Sequence, residues 1–164
     1  MYIRIKKMRE NAKLPEFKGG NWLDTYVSQV GFVRRDLKGE FTFDDIIWSD
    51  KDEFDILIGD IIIFKLGFAL ELPKGKELHL LPRSSVFRRY GLLLTNSMGI
   101  GDDTFIGDDD EYLAMMYATR NAKVEVGDRL IQIKIEDAML NYHLVEVDHF
   151  DNPSRGGYGT TGRK

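Results

Sequence analysis

The amino-acid sequence predicts an all-β sandwich or barrel with one short helix, and three observations support that reading. Apolar and polar residues alternate with period two more often than they recur at helical spacing. Glycine and proline turn signals break the chain at short intervals. Many short strands joined by such turns are the pattern of a sandwich or barrel. At 164 residues, 43% hydrophobic, 12% aromatic and 30% charged, the chain reads as one globular domain. A chain of this size buries roughly two-thirds of its unfolded surface, so its core needs no disulfide and no structural metal.

Taken in order, Tyr2-Ile3-Arg4-Ile5 opens the alternation. Residues 34–53, RRDLKGEFTFDDIIWSDKDE, are charged and carry Phe41, Phe43 and Trp48; they read as an extra hairpin or long surface loop, an insertion that decorates the domain. Ile56-Leu57-Ile58 and residues 61–72 are more continuously apolar, as in strands buried on both faces. Pro73-Lys74-Gly75 makes a turn into the alternating Leu78-His79-Leu80. Residues 84–91, SSVFRRYG, have a serine N-cap, about one turn of apolar and basic residues, and a glycine stop. Residues 96–107 are dense in glycine and aspartate, as in a hairpin. Gly127-Asp128 turns the chain into the strand pattern of residues 130–135, and residues 142–147 alternate once more. The domain therefore ends near residue 150. Residues 151–164, DNPSRGGYGTTGRK, lack hydrophobic periodicity and cannot offset the entropy of folding alone, so they are expected to be flexible.

Charge and composition remove several classes of function. With 23 Lys and Arg against 27 Asp and Glu, the net charge is −4, which disfavours tight non-specific binding to long nucleic acid. The absence of cysteine removes thiolate nucleophiles, zinc ribbons and Fe–S clusters. No apolar run approaches the roughly 18 residues of a membrane span. The first ten residues alternate and do not form a signal-peptide core, so a cytoplasmic protein is expected. His79, His143 and His149 lack metal-ligand spacing and read as structural or surface groups, and Asp108 to Glu111 reads as solvated loop.

Three stretches hold residues able to carry chemistry. Pro82-Arg83-Ser84-Ser85 places a guanidinium, two hydroxyls and helix N-terminal amides together, the equipment for binding phosphate. The same residues also suit an ordinary serine cap beside a surface arginine, and from them alone both readings stand. In residues 96–107, glycines let the backbone approach a ligand, Asn96 can read a base edge, and Asp102 can orient and activate water. A plain Gly/Asp turn is the alternative. In the tail, Arg155 can pair with a phosphate and Tyr158 can cover a flat ring, while the composition by itself reads as a disordered end. The spacing of Gly157 and Gly162 is that of a P-loop, but Arg163-Lys164 follow and no helix does.

In order and combination these stretches resemble the five motifs of the trimeric deoxyuridine triphosphatases (dUTPases), a resemblance that spans Asp24 to Gly162. Gly20-Asn21-Trp22-Leu23-Asp24 looks like a diverged first motif that keeps the aspartate, and Pro82 to Ser85 resembles the second. Residues 96–107 resemble the third, with Asp102 on the catalytic aspartate and Phe105 where tyrosine is usual. Residues 127–132, GDRLIQ, resemble the fourth and residues 155–162 the fifth. The fifth is about two residues short between its arginine and its aromatic, and 59 positions separate Asp24 from Arg83, with residues 34–53 the natural place for the excess. Diverged members of this kind occur in phages and Gram-positive bacteria, which implies a host's cytoplasm if the gene is phage-borne.

The resemblance implies a distorted β-barrel of jelly-roll type, assembled as a homotrimer with active sites shared between subunits. It implies Mg²⁺-dependent hydrolysis of dUTP to dUMP and pyrophosphate, with Asp102 as general base on the attacking water. Asp24 would touch the metal's water shell. Arg83, Ser84, Ser85 and Gln132 would hold phosphates; Asn96, Gly99 and Phe105 would hold the deoxyuridine. The tail, with Arg155, Tyr158, Gly159, Thr160 and Thr161, would close as a lid. Two rivals remain. A dCTP deaminase-like enzyme usually carries a Thr-Leu-Glu context after the third motif, whereas Asp108 to Tyr112 reads DDDEY here. A nucleotide-sensing regulator on the same fold would use residues 34–53 as a surface for a protein partner.

Overall fold

The computed structural model describes residues 2–34, 39–139 and 142–154. It is mostly β, as expected, with two five-stranded antiparallel sheets and two short ribbons. The first sheet runs in the order β10 (Leu92–Leu94), β12 (Leu113–Ala118), β7 (Ile61–Lys65), β4 (Gln29–Val33), β5 (Ile46–Ser49). The second runs β11 (Gly99–Gly101), β9 (Lys76–Pro82), β14 (Ile131–Asp137), β3 (Leu23–Asp24), β2 (Glu16–Phe17). The ribbons pair β1 (Arg4–Lys7) with β8 (Phe68–Glu71) and β13 (Ala122–Glu125) with β6 (Glu53–Ile56).

Period-two patterning sets which faces meet, because successive side chains of a strand point to opposite sides. In β9, Leu78 and Leu80 are buried while His79 between them stays half-exposed and contacts Glu77 at 2.6 Å. In β14, Ile131 and Ile133 enter the core and Gln132 faces outward. These residues join Val30, Ile62, Phe64, Leu92 and Met116 of the first sheet in one buried cluster. The continuous apolar run of β7 is buried on both faces at Ile62, Ile63 and Phe64, as its composition requires. Ile56 ends β6 as a fully buried residue, but Leu57 and Ile58 are exposed in the turn that follows, where Asp60 accepts the Leu57 N–H at 2.7 Å.

The helix α1 (Val86–Tyr90) forms where expected and stops at Gly91, whose φ of 65° is left-handed. Its cap differs from the expected one: Ser85 occupies the N-cap position without a side-chain hydrogen bond. Within residues 34–53, positions 35–38 lie outside the described residues. A 3-10 turn at Phe43–Asp45 leads into β5, which pairs with β4 as the edge of the first sheet and buries Ile46. Lys65 lies 4.1 Å from the centroid of the Trp48 ring, and burial lowers the pKa of its amine.

Three expectations fail for physical reasons. Residues 142–147 form no strand; among the described residues no strand pairs with them, and Leu144, Val145 and Val147 are 97%, 78% and 51% exposed. Residues 96–107 do not form a hairpin. β10 pairs with β12 in one sheet and β11 with β9 in the other, so the chain crosses between sheets through a turn in which Ser97 takes φ 61°. Asp108 to Glu111 is also not wholly solvated: Glu111 pairs with Arg9 and accepts the Gly67 N–H at 3.0 Å. No helix among the described residues is long and apolar enough to cross a membrane.

Candidate active site

Asp24 sits on the short strand β3 opposite Gln132 of β14, and is 7% exposed. Arg83 Nε donates to Asp24 Oδ1 at 2.8 Å, and Arg129 Nη1 donates to Asp24 Oδ2 at 2.8 Å. Both oxygens of a nearly buried carboxylate are thus taken by guanidinium groups, an arrangement that fixes two cations side by side. Arg83 is further tied by its N–H to the Leu130 carbonyl at 2.9 Å and by Nη1 to the Arg129 carbonyl at 3.3 Å. Lys18, Asn21, Trp22, Asp24, Arg83, Ser84 and Gln132 line a pocket of about 270 Å³ at this point. Its cationic walls and hydroxyl suit a phosphate chain. Ser85 follows Ser84 as the N-cap of α1 and does not line the pocket. Arg129 and Lys18 were not among the expected site residues. Arg129 had a signal in the GDRLIQ stretch; Lys18, before a glycine turn, had none.

Asp102 lies just after β11, exposed, with Thr104 closing a tight turn upon it. Asp102 Oδ1 accepts the Thr104 N–H at 2.8 Å and the Thr104 hydroxyl at 2.5 Å. Those bonds, the hydroxyl first, hold its carboxyl below the usual aspartate range. Oδ2 carries no hydrogen bond among the described residues, and that oxygen is the one available to a water.

Beside this carboxylate, Leu80, Asn96, Gly99, Ile100, Gly101, Phe105 and Tyr112 contribute to a second pocket of about 240 Å³. Phe105 is 37% exposed at its wall. Gly99 rests on Leu80, whose Cβ would stand 3.2 Å from any Cβ added there, so that wall has little room to retreat. Apolar surface from Phe105 and Ile100 and the Asn96 amide thus face one cavity, a lining of the kind that takes a flat ring with a polar edge.

The structure therefore brings Asn96, Gly99, Asp102 and Phe105 together, and separately Asp24, Arg83, Ser84 and Gln132. The two pockets share no lining residue. Arg155, Tyr158, Gly159, Thr160 and Thr161 lie outside the described residues. Among the described residues, no three His, Asp or Glu side chains converge to hold a metal ion. Both Asp24 oxygens accept from arginine, so direct ligation of a metal ion there would compete with two guanidinium groups.

No protein-family model matches the chain. The SPbeta prophage-derived deoxyuridine 5'-triphosphate nucleotidohydrolase of Bacillus subtilis is 34% identical over 165 residues, covering 100% of both chains. Among solved structures, a variant dUTPase of Staphylococcus bacteriophage 80alpha with dUpNHpp superposes with a TM-score of 0.68 at 16% identity, covering 98% of each chain. A variant dUTPase from phage phi11 of S. aureus, described with a coordinated structural Mg(II) ion, gives 0.66 at 15% identity over 93% of this chain and 100% of its own.

Proposed function

Because the chain belongs to the deoxyuridine 5'-triphosphate nucleotidohydrolase (dUTPase) family, we propose that it hydrolyses dUTP to dUMP and pyrophosphate, and that its two pockets are the two halves of that site. The observation that carries this reading is Asp102, fixed by Thr104 through one oxygen beside a pocket shaped for a nucleoside. The uracil enters against Gly99 and Asn96, where Leu80 stands close behind Gly99, and this snug wall is the element that turns away a 5-methyl group. Phe105 packs on the deoxyribose. Arg83, Gln132, Ser84 and Ser85, with Lys18 and Arg129 adding positive charge, hold the phosphates.

Asp102 Oδ2 takes a proton from a water whose oxygen attacks the α-phosphorus in line. The bond from that phosphorus to the bridging oxygen breaks, and pyrophosphate leaves with the electron pair. Mg²⁺, when bound on the triphosphate, neutralises charge on its oxygens. The pairing with Asp24 keeps Arg83 and Arg129 fixed before substrate arrives, so little reorganisation is needed at reaction.

The working form is a homotrimer in which the nucleoside half of one subunit faces the phosphate half of another. Two features support this: the halves share no residue on one chain, and residues 142–150 carry Tyr142, Leu144, Val145, Val147 and Phe150 in exposed positions. An apolar arm of that kind is covered by a neighbour in a stable protein. Residues 151–164 act as a lid through Arg155, Tyr158, Gly159, Thr160 and Thr161, and the protein works in the cytoplasm, a host's if the gene is phage-borne.

The test is incubation of the pure protein with each deoxynucleoside triphosphate and with UTP, in the presence of Mg²⁺, with pyrophosphate and nucleotide products quantified and the mass followed by light scattering. The expected result is dUMP and pyrophosphate from dUTP, poor turnover of dTTP, dCTP and UTP, and a mass of three chains. Ammonia release from dCTP at a matching rate would move the chemistry to the deaminases. A fully active monomer would overturn the shared site. A chain ending at Pro153, assayed alongside, should stay folded and turn over far more slowly; equal turnover would remove the lid.

A further inference from the structure

We propose that Tyr112, outside all the motifs, sets discrimination against ribose by holding the Phe105 ring in place, a deepening that rests on the function proposed above. Tyr112 opens the run into β12 and is 5% exposed. Its ring lies between two others. Phe68 stacks on one side with centroids 5.3 Å apart and planes at 28°, and Phe105 meets it edge-on, also at 5.3 Å, with planes at 72°. Phe68 is fully buried in the core and cannot move without repacking it. The position of the exposed Phe105 ring is therefore referred, through Tyr112, to the rigid interior.

The backbone beside Asp102 depends on the same ring. A Cβ added at Gly101 would stand 2.5 Å from Tyr112 Cε1 and 2.7 Å from its hydroxyl oxygen, so the phenol occupies the volume of the missing side chain. That hydroxyl is buried with no hydrogen-bond partner among the described residues. Burial first, then the charges of Asp102 and Asp110, push its pKa up to about 12, so it stays neutral. An orphaned buried hydroxyl costs free energy, and it is retained here beside a ring whose shape does the work.

The two sides of the nucleoside pocket thus have different supports. Gly99, on the base side, is braced by Leu80 of β9; Phe105 and Gly101, on the sugar side, are braced by Tyr112. Loss of the Tyr112 ring releases Phe105 and opens space where a 2′-hydroxyl would sit, while the wall against a 5-methyl group keeps its brace. Tyr112 is a positioning residue: it acts through Phe105.

The experiment measures kcat/KM for dUTP, UTP and dTTP with wild type, Tyr112→Leu and Tyr112→Phe. Tyr112→Leu should lower the preference for dUTP over UTP by about tenfold or more, a change of the size a hydroxyl-excluding contact supports. Its preference for dUTP over dTTP should be nearly unchanged. Tyr112→Phe should keep both preferences and melt no lower than wild type, because only the unpartnered hydroxyl is lost. If Tyr112→Leu does not fold, Gly101→Ala makes the same test by forcing a methyl into the phenol. An unchanged dUTP/UTP preference in a folded variant, or equal loss of both preferences, overturns the inference. A wild type with no preference for dUTP instead overturns the function on which it rests.

Discussion

Asp102→Asn is expected to lower kcat by about two to four orders of magnitude while leaving the fold and nucleotide affinity in place. Asparagine keeps the size of the side chain and can still accept the Thr104 N–H and hydroxyl through its amide oxygen, so the turn around position 102 survives. What is lost is a group able to take a proton from water. General-base catalysis is worth about 10²- to 10⁴-fold, and the loss falls on kcat because substrate binding uses other residues. Single-turnover measurement with dUTP and Mg²⁺, beside a binding titration with a non-hydrolysable analogue, separates the two quantities. Retention of near wild-type kcat would remove Asp102 from the role of base. The pH profile carries a second sign. Since Thr104 holds the Asp102 carboxyl below the ordinary aspartate range, the free protein keeps its base ionised as pH falls, and the acid limb of kcat/KM lies below that range. Thr104→Val should move the limb upward, toward the ordinary value.

Asp24→Ala has the next largest expected effect, and it acts on stability and binding together. The carboxylate is 9% exposed, against 26% for the Arg83 side chain and 36% for that of Arg129. Removing it leaves two guanidiniums adjacent with no anion between them. A fully buried pair broken in this way costs about 3–5 kcal/mol; partial solvation of both arginines reduces that to about 2–4 kcal/mol. At about 2–4 °C per kcal/mol for a chain of this size, the melting temperature should fall by roughly 5–15 °C. Turnover should fall as well, because Arg83 loses the bond that aims it. Inorganic pyrophosphate should raise the melting temperature of the variant more than that of wild type, since an added anion takes the vacated position. Equal melting temperatures for wild type and variant would mean that water already screens the triad.

How far the sequence carried this reading differs from element to element, for identifiable reasons. Leu78 and Leu80, Ile131 and Ile133, and the run Ile61 to Phe64 were legible because burial of one or both faces writes itself directly into residue type. Gly91 was legible as a helix stop because the left-handed backbone there favours glycine. Residues 142–147 misled because alternation marks a pattern compatible with a strand but supplies no partner strand, and none pairs with them among the described residues. The 96–107 segment misled because turn composition marks a change of direction, and does not tell a return along the same sheet from a crossing to the other. In the site, Asp102, Arg83 and Gln132 stood in recognisable stretches. Tyr112 gave no signal, because an aromatic at the start of a strand looks like ordinary core. Its significance comes from three contacts, to Phe68, Phe105 and Gly101, that join positions up to 44 residues apart in the chain (112 − 68 = 44).

The separation of the two pockets on one chain has a genetic consequence. A subunit disabled at Asp102 still offers an intact Arg83 and Gln132, and one disabled at Arg83 still offers an intact Asp102 and Phe105. If each working centre draws its halves from different copies, two dead alleles can rescue one another. Asp102→Asn and Arg83→Ala proteins, each inactive alone, should regain part of the wild-type activity when co-expressed or unfolded and refolded as a mixture, whereas two variants damaged in the same half should not. Such intragenic complementation would also make heterozygous combinations of damaged copies less harmful than either allele alone.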